Sequence, residues 1–179
     1  MTPSIQQAQV SGVLRAFLLS ILPAGVEVII AQENRVPEPT SDNFVLLTLL
    51  DRSRLGTNTT AWDQSMGGNP TTITDAEAVS IGMQLDFHGA DSTDNAQVFA
   101  VLFRSAYACD YMAATGVSPD YCTDGQQMPF INGENAWEDR WVLNAVMDCV
   151  IAVEAPQQFA NTLQITLIDV DAVYPPSGA

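Results

Sequence analysis

The sequence predicts an α+β protein: a mixed, largely antiparallel sheet, with an N-terminal helix and a central amphipathic helix packed on one side and long loops between elements. Three observations predict it. Val10, Leu14, Phe17, Leu18 and Ile21 recur at helical spacing. Val79, Ile81, Met83, Leu85 and Phe87 alternate with Ser80, Gly82, Gln84, Asp86 and His88, the period of a strand with one buried face. Arg140 to Glu154 is a strand-forming run that would reach about 50 Å at about 3.3 Å per residue. Apolar stripes of these two periods bury each other when helices lie on one face of a sheet.

The first helix is expected over Ser4 to Leu22, with Pro3 and Ser4 suiting its entry and Pro23 and Gly25 ending it. Val26 to Ala31 and Phe44 to Leu50 are dense in β-branched and aliphatic residues and read as two central strands. The polar bridge between them, Gln32 to Asn43, is held open by Pro37 and Pro39 and has only Val36 as an apolar anchor. It reads as a surface loop that touches a neighbour.

Residues 51–78 are rich in Thr, Ser, Asn and Gly up to the alternating strand, and read as a long loop. Trp62 stands isolated there, either as a contact residue for a partner or folded back on its own domain. Asp94 and Gln97 have capping-box spacing and open the central helix, whose stripe is Phe99, Leu102, Ala106, Cys109 and Met112. Gly116 and Pro119 close it, and 114–138 forms a second long loop with a short strand near Met128 to Ile131. In the long run that follows, Trp141, Leu143, Ala145, Met147, Cys149, Ile151 and Val153 share one side. Thr162 to Val170 is a last strand, and 171–179 is an extended end stiffened by Pro175 and Pro176. At 179 residues, the chain reads as one domain over 1–179.

Charge removes several function classes. Asp and Glu number 21 against 6 basic residues, a net −15, and every basic residue is an arginine. Gripping nucleic acid requires clustered cations against phosphates, and no cluster is present. Cys109, Cys122 and Cys149 lack the paired spacing of a zinc site, and His88 is the sole histidine. No cofactor or metal is therefore expected. The most apolar stretch, Ala16 to Ala31, is broken by Ser20, Pro23, Gly25 and Glu27, too short for a membrane span. The polar start lacks the basic end of a secretory signal, so the chain is expected to stay in the cytosol or join an assembly there.

No nucleophile elbow, phosphate loop or metalloprotease helix is present, so no catalytic residues are assigned and the chain is not expected to be an enzyme. The nearest alternative is a small acidic enzyme using Asp86 and His88, two residues apart on the wet face of the alternating strand.

Two segments carry a family likeness: "VEVIIAQENRVPEP…FVLLTLLDRSRLGTN" and "DRWVLNAVMDCVIAVEAPQQFANTLQITLIDVDAVYPP". A helix, a strand and the stretch Asn34 to Pro39, with the Val170 to Pro176 ending, resemble the neck or tail terminator proteins of tailed bacteriophages. The likeness covers the outer two thirds of the chain, leaving 57–75 and 114–138 unplaced. It implies a non-enzymatic virion protein, usually a six-membered homo-oligomeric ring at the head–tail junction or the head-proximal end of the tail tube. The implied partners are the head connector or head-completion protein and the tail tube protein, with DNA passing through unbound. A tail tube subunit or another virion adaptor is the alternative within the same class. In a ring of acidic copies, arginines are natural partners for a neighbour's carboxylates. Arg52, Arg54, Arg104 and Arg140, with Trp62, are the interface candidates.

Overall fold

The computed structural model describes residues 1–31, 39–62, 72–131 and 137–156. The chain runs α1 (Gln7–Ile21), β1 (Glu27–Ile30), β2 (Phe44–Arg54), β3 (Thr59–Trp62), β4 (Thr72–His88), α2 (Ser92–Phe103) and α3 (Ala106–Met112). β5 (Val117–Cys122), β6 (Gln126–Gln127), β7 (Phe130–Ile131), β8 (Trp137–Glu138) and β9 (Arg140–Pro156) follow. The expected last strand, Thr162 to Val170, and the extended end, 171–179, lie outside the described residues, as does most of the bridge from Gln32.

Among the described residues the main sheet has the order β1-β2-β4-β9-β5, with β3 also pairing β4 and β6 also pairing β9. The mixed α+β architecture is the expected one. Every pairing in it is antiparallel except β1 with β2, where Glu27 faces Phe44 and Ile30 faces Leu47. Among the described residues β1 stands at one end of this order. Parallel neighbours cannot be joined by a tight turn, because the chain must travel back to the strand's start. That return is what the long bridge after Ala31 accomplishes. Its landing is tied down where the Thr40 amide and hydroxyl donate to the Glu27 carboxylate, a bond that holds the Glu27 pKa below its usual value.

One core sits under one face of the sheet. Val79, Ile81, Met83, Leu85 and Phe87 of β4 join Leu143, Ala145 and Met147 of β9 and Val45 and Leu47 of β2. Val10, Leu14, Phe17 and Leu18 of α1 cover them, with Phe99 and Phe103 of α2 and Met112 of α3. Phe17 meets Phe99 edge-on at 6.1 Å and 72°, and Phe103 at 6.3 Å. Such contacts add to the area term that holds helices to sheet.

Four expectations need correction. The loop placed at 51–78 is largely strand: β2 continues to Arg54, β3 follows, and β4 begins at Thr72. The single central helix is two, broken at Arg104 and Ser105. Ser105 accepts from the Tyr107 amide at 3.2 Å and caps α3. The break re-phases the stripe, burying Ala108 and Met112 while Ala106 and Cys109 face solvent. Asp94 lies in the first turn of α2 instead of capping it, the N-cap position being Asp91. Finally, 114–138 contains β5 to β8. Pro119 sits inside β5 beside a register irregularity, a tolerable place because β5 is a flanking strand.

Gly89 turns the chain from β4 into α2 at φ 96°, and an added Cβ would stand 2.2 Å from the Asp42 carbonyl oxygen. Only glycine fits there.

Candidate assembly surface

The outer face of the sheet, opposite the helices, carries the one polar group that invited a catalytic reading. Asp86 and His88 were expected on a wet strand face, yet both are buried. Arg140, directly across from His88 in the ladder, donates from Nη2 to Asp86 Oδ1 at 2.7 Å and from Nε at 3.2 Å. The Gln84 amide donates to both Asp86 oxygens at 2.9 Å. The His88 imidazole stacks on Phe44 at 4.4 Å, and its Nδ1 lies 2.9 Å from Glu138 Oε1. A general base must present an open lone pair to a substrate proton. The Asp86 carboxylate is instead occupied by a guanidinium and an amide, the arrangement of a structural ion pair. Among the described residues no three His, Cys, Asp or Glu side chains gather to hold a metal. Among them, too, no helix is long and apolar enough to cross a membrane.

Arg104 also has a structural engagement. It ends α2 and donates to the Cys122 carbonyl from Nε and Nη2, and to Asp124 Oδ1 at 2.8 Å. The hydrogen bond to Asp124 raises its pKa above the ordinary arginine value. Its work is to hold the chain after β5 against the helix end.

The remaining candidates, Arg52, Arg54 and Trp62, lie along one flank of β4, opposite Ile81, Val79 and Ile73. β4 and β9 are each 17 residues long and pair without a register shift from Thr72–Pro156 to His88–Arg140, about 56 Å of ribbon at about 3.3 Å per residue. The helices bury the helix-facing positions of only one end, from Val79 to Phe87 on β4. Beyond Val79 an arm continues, with β3 pairing Ile73 to Ala76 and β9 pairing through Pro156. None of the arm positions of β3 and β4, or of β9 from Val150 onward, is buried.

A bulge decides which way the arginines point. Before it Leu49 faces Met83, and after it Asp51 faces Gly82 and Arg52 faces Ile81. The extra residue, Leu50, shifts the alternation by one. Arg52 and Arg54 consequently share the helix-side face with Ile81 and Val79, and Asp51 lies over Gly82 on the other. Trp62, opposite Ile73, is on the helix-side face as well. Arg52 donates to the Gln7 amide oxygen of α1 at 2.8 Å, and Arg54 is 3.7 Å from Glu77 with 60% of its side chain exposed. The indole of Trp62 leaves 48% of its surface open.

Trp62 thus lies toward the far end of the arm, and Arg54 and Arg52 stand at its root and in the body; Trp and Arg are the residue types that dominate the centres of protein interfaces. Comparison with known proteins supplies the family. Residues 8–171 match the family model described as phage neck terminator protein. The chain belongs to that family. It is a structural virion protein of the terminator type. Among solved structures it resembles a sheath/tube terminator of an extracellular contractile injection system in its extended state, determined by cryo-EM. Identity is 15% and the TM-score 0.53, which shows a shared fold; the match covers 97% of this chain and 66% of that one. The chain therefore spans just under two thirds of that protein. No curated protein matches it.

The sequence pointed to Trp62 and the arginines but not to their grouping. No alternation in β2 marks the bulge, because Phe44 to Leu47 is already a continuous apolar run.

Proposed function

We propose that this chain is the subunit of a terminator ring, six copies around an opening, at the head–tail junction or the head-proximal end of the tail tube. The family match over residues 8–171 carries this reading. The ring meets the head connector or head-completion protein on one side and the tail tube protein on the other. It assembles in the host cytoplasm, and its part in the particle is architectural, with no reaction to perform. A chain of −15 repels phosphate, so DNA passes the opening without being held.

Light scattering on the purified chain and electron microscopy of tails test this directly. The expected result is a closed ring of six copies, in solution or at one end of the tail. Particles lacking the chain should then have tails without a finished end. Filaments of the purified chain would replace this reading with that of a tail tube subunit. A strict monomer that is also absent from tails would overturn it.

A further inference from the structure

We infer that Ser4 is a latch on the arm: closed, it caps the edge of β9 at Ala152, and it opens and recloses while the body stays folded. The latch is a property of a single copy and does not depend on the ring.

The edge of β9 that faces away from β4 is covered piecewise. β6 pairs with it at Trp141 and Val142, and β5 from Ala145 to Cys149. Between and beyond these strands stand two clamps of one design. The Thr123 amide donates to the Asn144 carbonyl at 2.9 Å, and the Asn144 amide donates to Thr123 Oγ1 at 2.9 Å. The Ser4 amide donates to the Ala152 carbonyl at 2.8 Å, and the Ala152 amide donates to Ser4 Oγ at 2.9 Å. In each, a single hydroxyl residue satisfies both main-chain groups that a neighbouring strand would take. Left unpaired, such groups on an edge recruit other chains, so the Ser4 clamp protects the arm beyond the reach of β5.

The two clamps differ in how they are held. Thr123 lies between β5 and β6, which pair with β9 on either side of it, so it cannot leave alone. Ser4 is gripped from one side. Ile5 is half-buried against the core, its Cδ1 3.2 Å from where a Cβ on Gly116 would stand. Just beyond, the Gln6 amide donates to Gln9 Oε1 at 2.6 Å, so α1 begins without help from Ser4. On the other side Met1, Thr2 and Pro3 are exposed. Rotation between Ile5 and Ser4 therefore releases Ala152 without disturbing helix or core. Two hydrogen bonds that water can replace hold the closed form, so its opening is a local fluctuation and not an unfolding event.

Amide hydrogen exchange on the full chain, read at single residues, tests the latch. The Ala152 amide is protected in the wild type, and Ser4→Ala speeds its exchange about fivefold, the weight of one net hydrogen bond. Ser4→Thr keeps the hydroxyl and retains the protection. The Ile151 and Val153 amides, which point to β4, and the Asn144 amide under Thr123 exchange at unchanged rates in both variants. Low urea leaves the Ala152 rate unchanged and speeds that of Asn144, because only the second opening exposes buried surface. The latch is overturned if the wild-type Ala152 amide exchanges as an unprotected one, or if Ser4→Ala leaves its rate unchanged. It is overturned equally if Ala152 and Asn144 share one rate and one urea dependence, since the edge would then open only with the body.

Discussion

The same two strands live in different surroundings at their two ends. From Val79 to His88, β4 is paired with β9, flanked by β2 and roofed by three helices, and its helix-side residues are buried. From Thr72 to Ala78 it is paired with β9 in the same unbroken register, and no residue is buried. The hydrogen-bonded ladder is equal in the two halves; the apolar burial is not. A backbone hydrogen bond adds only about 1 kcal/mol net, because water competes for both partners. Burial supplies most of what holds a domain together. The body thus anchors the ribbon, and among the described residues the arm is held by its ladder with β9 and β3 and by the Ser4 contacts to Ala152, without a buried core of its own.

The largest test of that contrast is in the body. Phe17 is fully buried, ringed by Phe99, Phe103 and Tyr111. Phe17→Ala removes the centre of the helix–sheet contact and should cost about 3–5 kcal/mol, measured by urea unfolding. If it costs no more than an arm substitution, the division into anchored and projecting halves is wrong.

Next in size is the outer face. Arg140→Met leaves the buried Asp86 carboxylate only the Gln84 amide as a hydrogen-bond partner among the described residues and should cost about 3 kcal/mol. Adding Asp86→Asn should recover part of that loss, since a neutral amide tolerates burial better. An unchanged unfolding midpoint in Arg140→Met would show that the pair contributes nothing.

Legibility in the sequence followed the same division. Where one face is buried, composition must alternate, and the strand at Val79 to His88 and the stripe of α1 were readable for that reason. Where neither face is buried, alternation is not enforced, so Thr59 to Trp62 and Thr72 to Ala78 read as loop although they are paired strand. The burial of Asp86 was hidden because its guanidinium partner, Arg140, is remote in sequence and is brought beside it only by strand pairing. The parallel pairing of β1 and β2 was hidden too, although the length of the bridge between them was a fair sign. The bulge at Leu50 explains the hardest miss: a single extra residue sent Arg52 and Arg54 to the face that Trp62 occupies.

The arm gives the third test, with a smaller effect. Val153→Ala, on the helix-side face opposite Asp75, should cost less than about 1 kcal/mol, because the site is only half-buried and little cavity can form. Amide exchange in the same variant should show arm protection well below that of Val79 to Phe87, as local opening requires less area to be exposed. Equal protection along all of β4 would mean that the arm is anchored by more than its ladder.

The smallest effect comes from the cysteines, which sit at informative places along the same ribbon. Cys109 is exposed on α3, Cys122 is buried at the end of β5, and Cys149 is buried opposite Val79, where β9 leaves the helix layer. Burial raises the pKa of the Cys122 and Cys149 thiols, and Arg52 and Arg104 oppose the rise only in part. A raised thiol pKa means that the folded state holds its proton longer than the unfolded state. The associated stability is therefore complete at neutral pH and is lost as pH climbs through the thiol range. Alkylation at neutral pH should modify Cys109 quickly and leave the other two, with Cys109→Ser changing stability by less than about 0.5 kcal/mol. In mild urea Cys149 should react before Cys122, because it marks the edge of the anchored half. If Cys122 reacts first, the body opens at β5 and not at the root of the arm, and the boundary between the two halves must be moved.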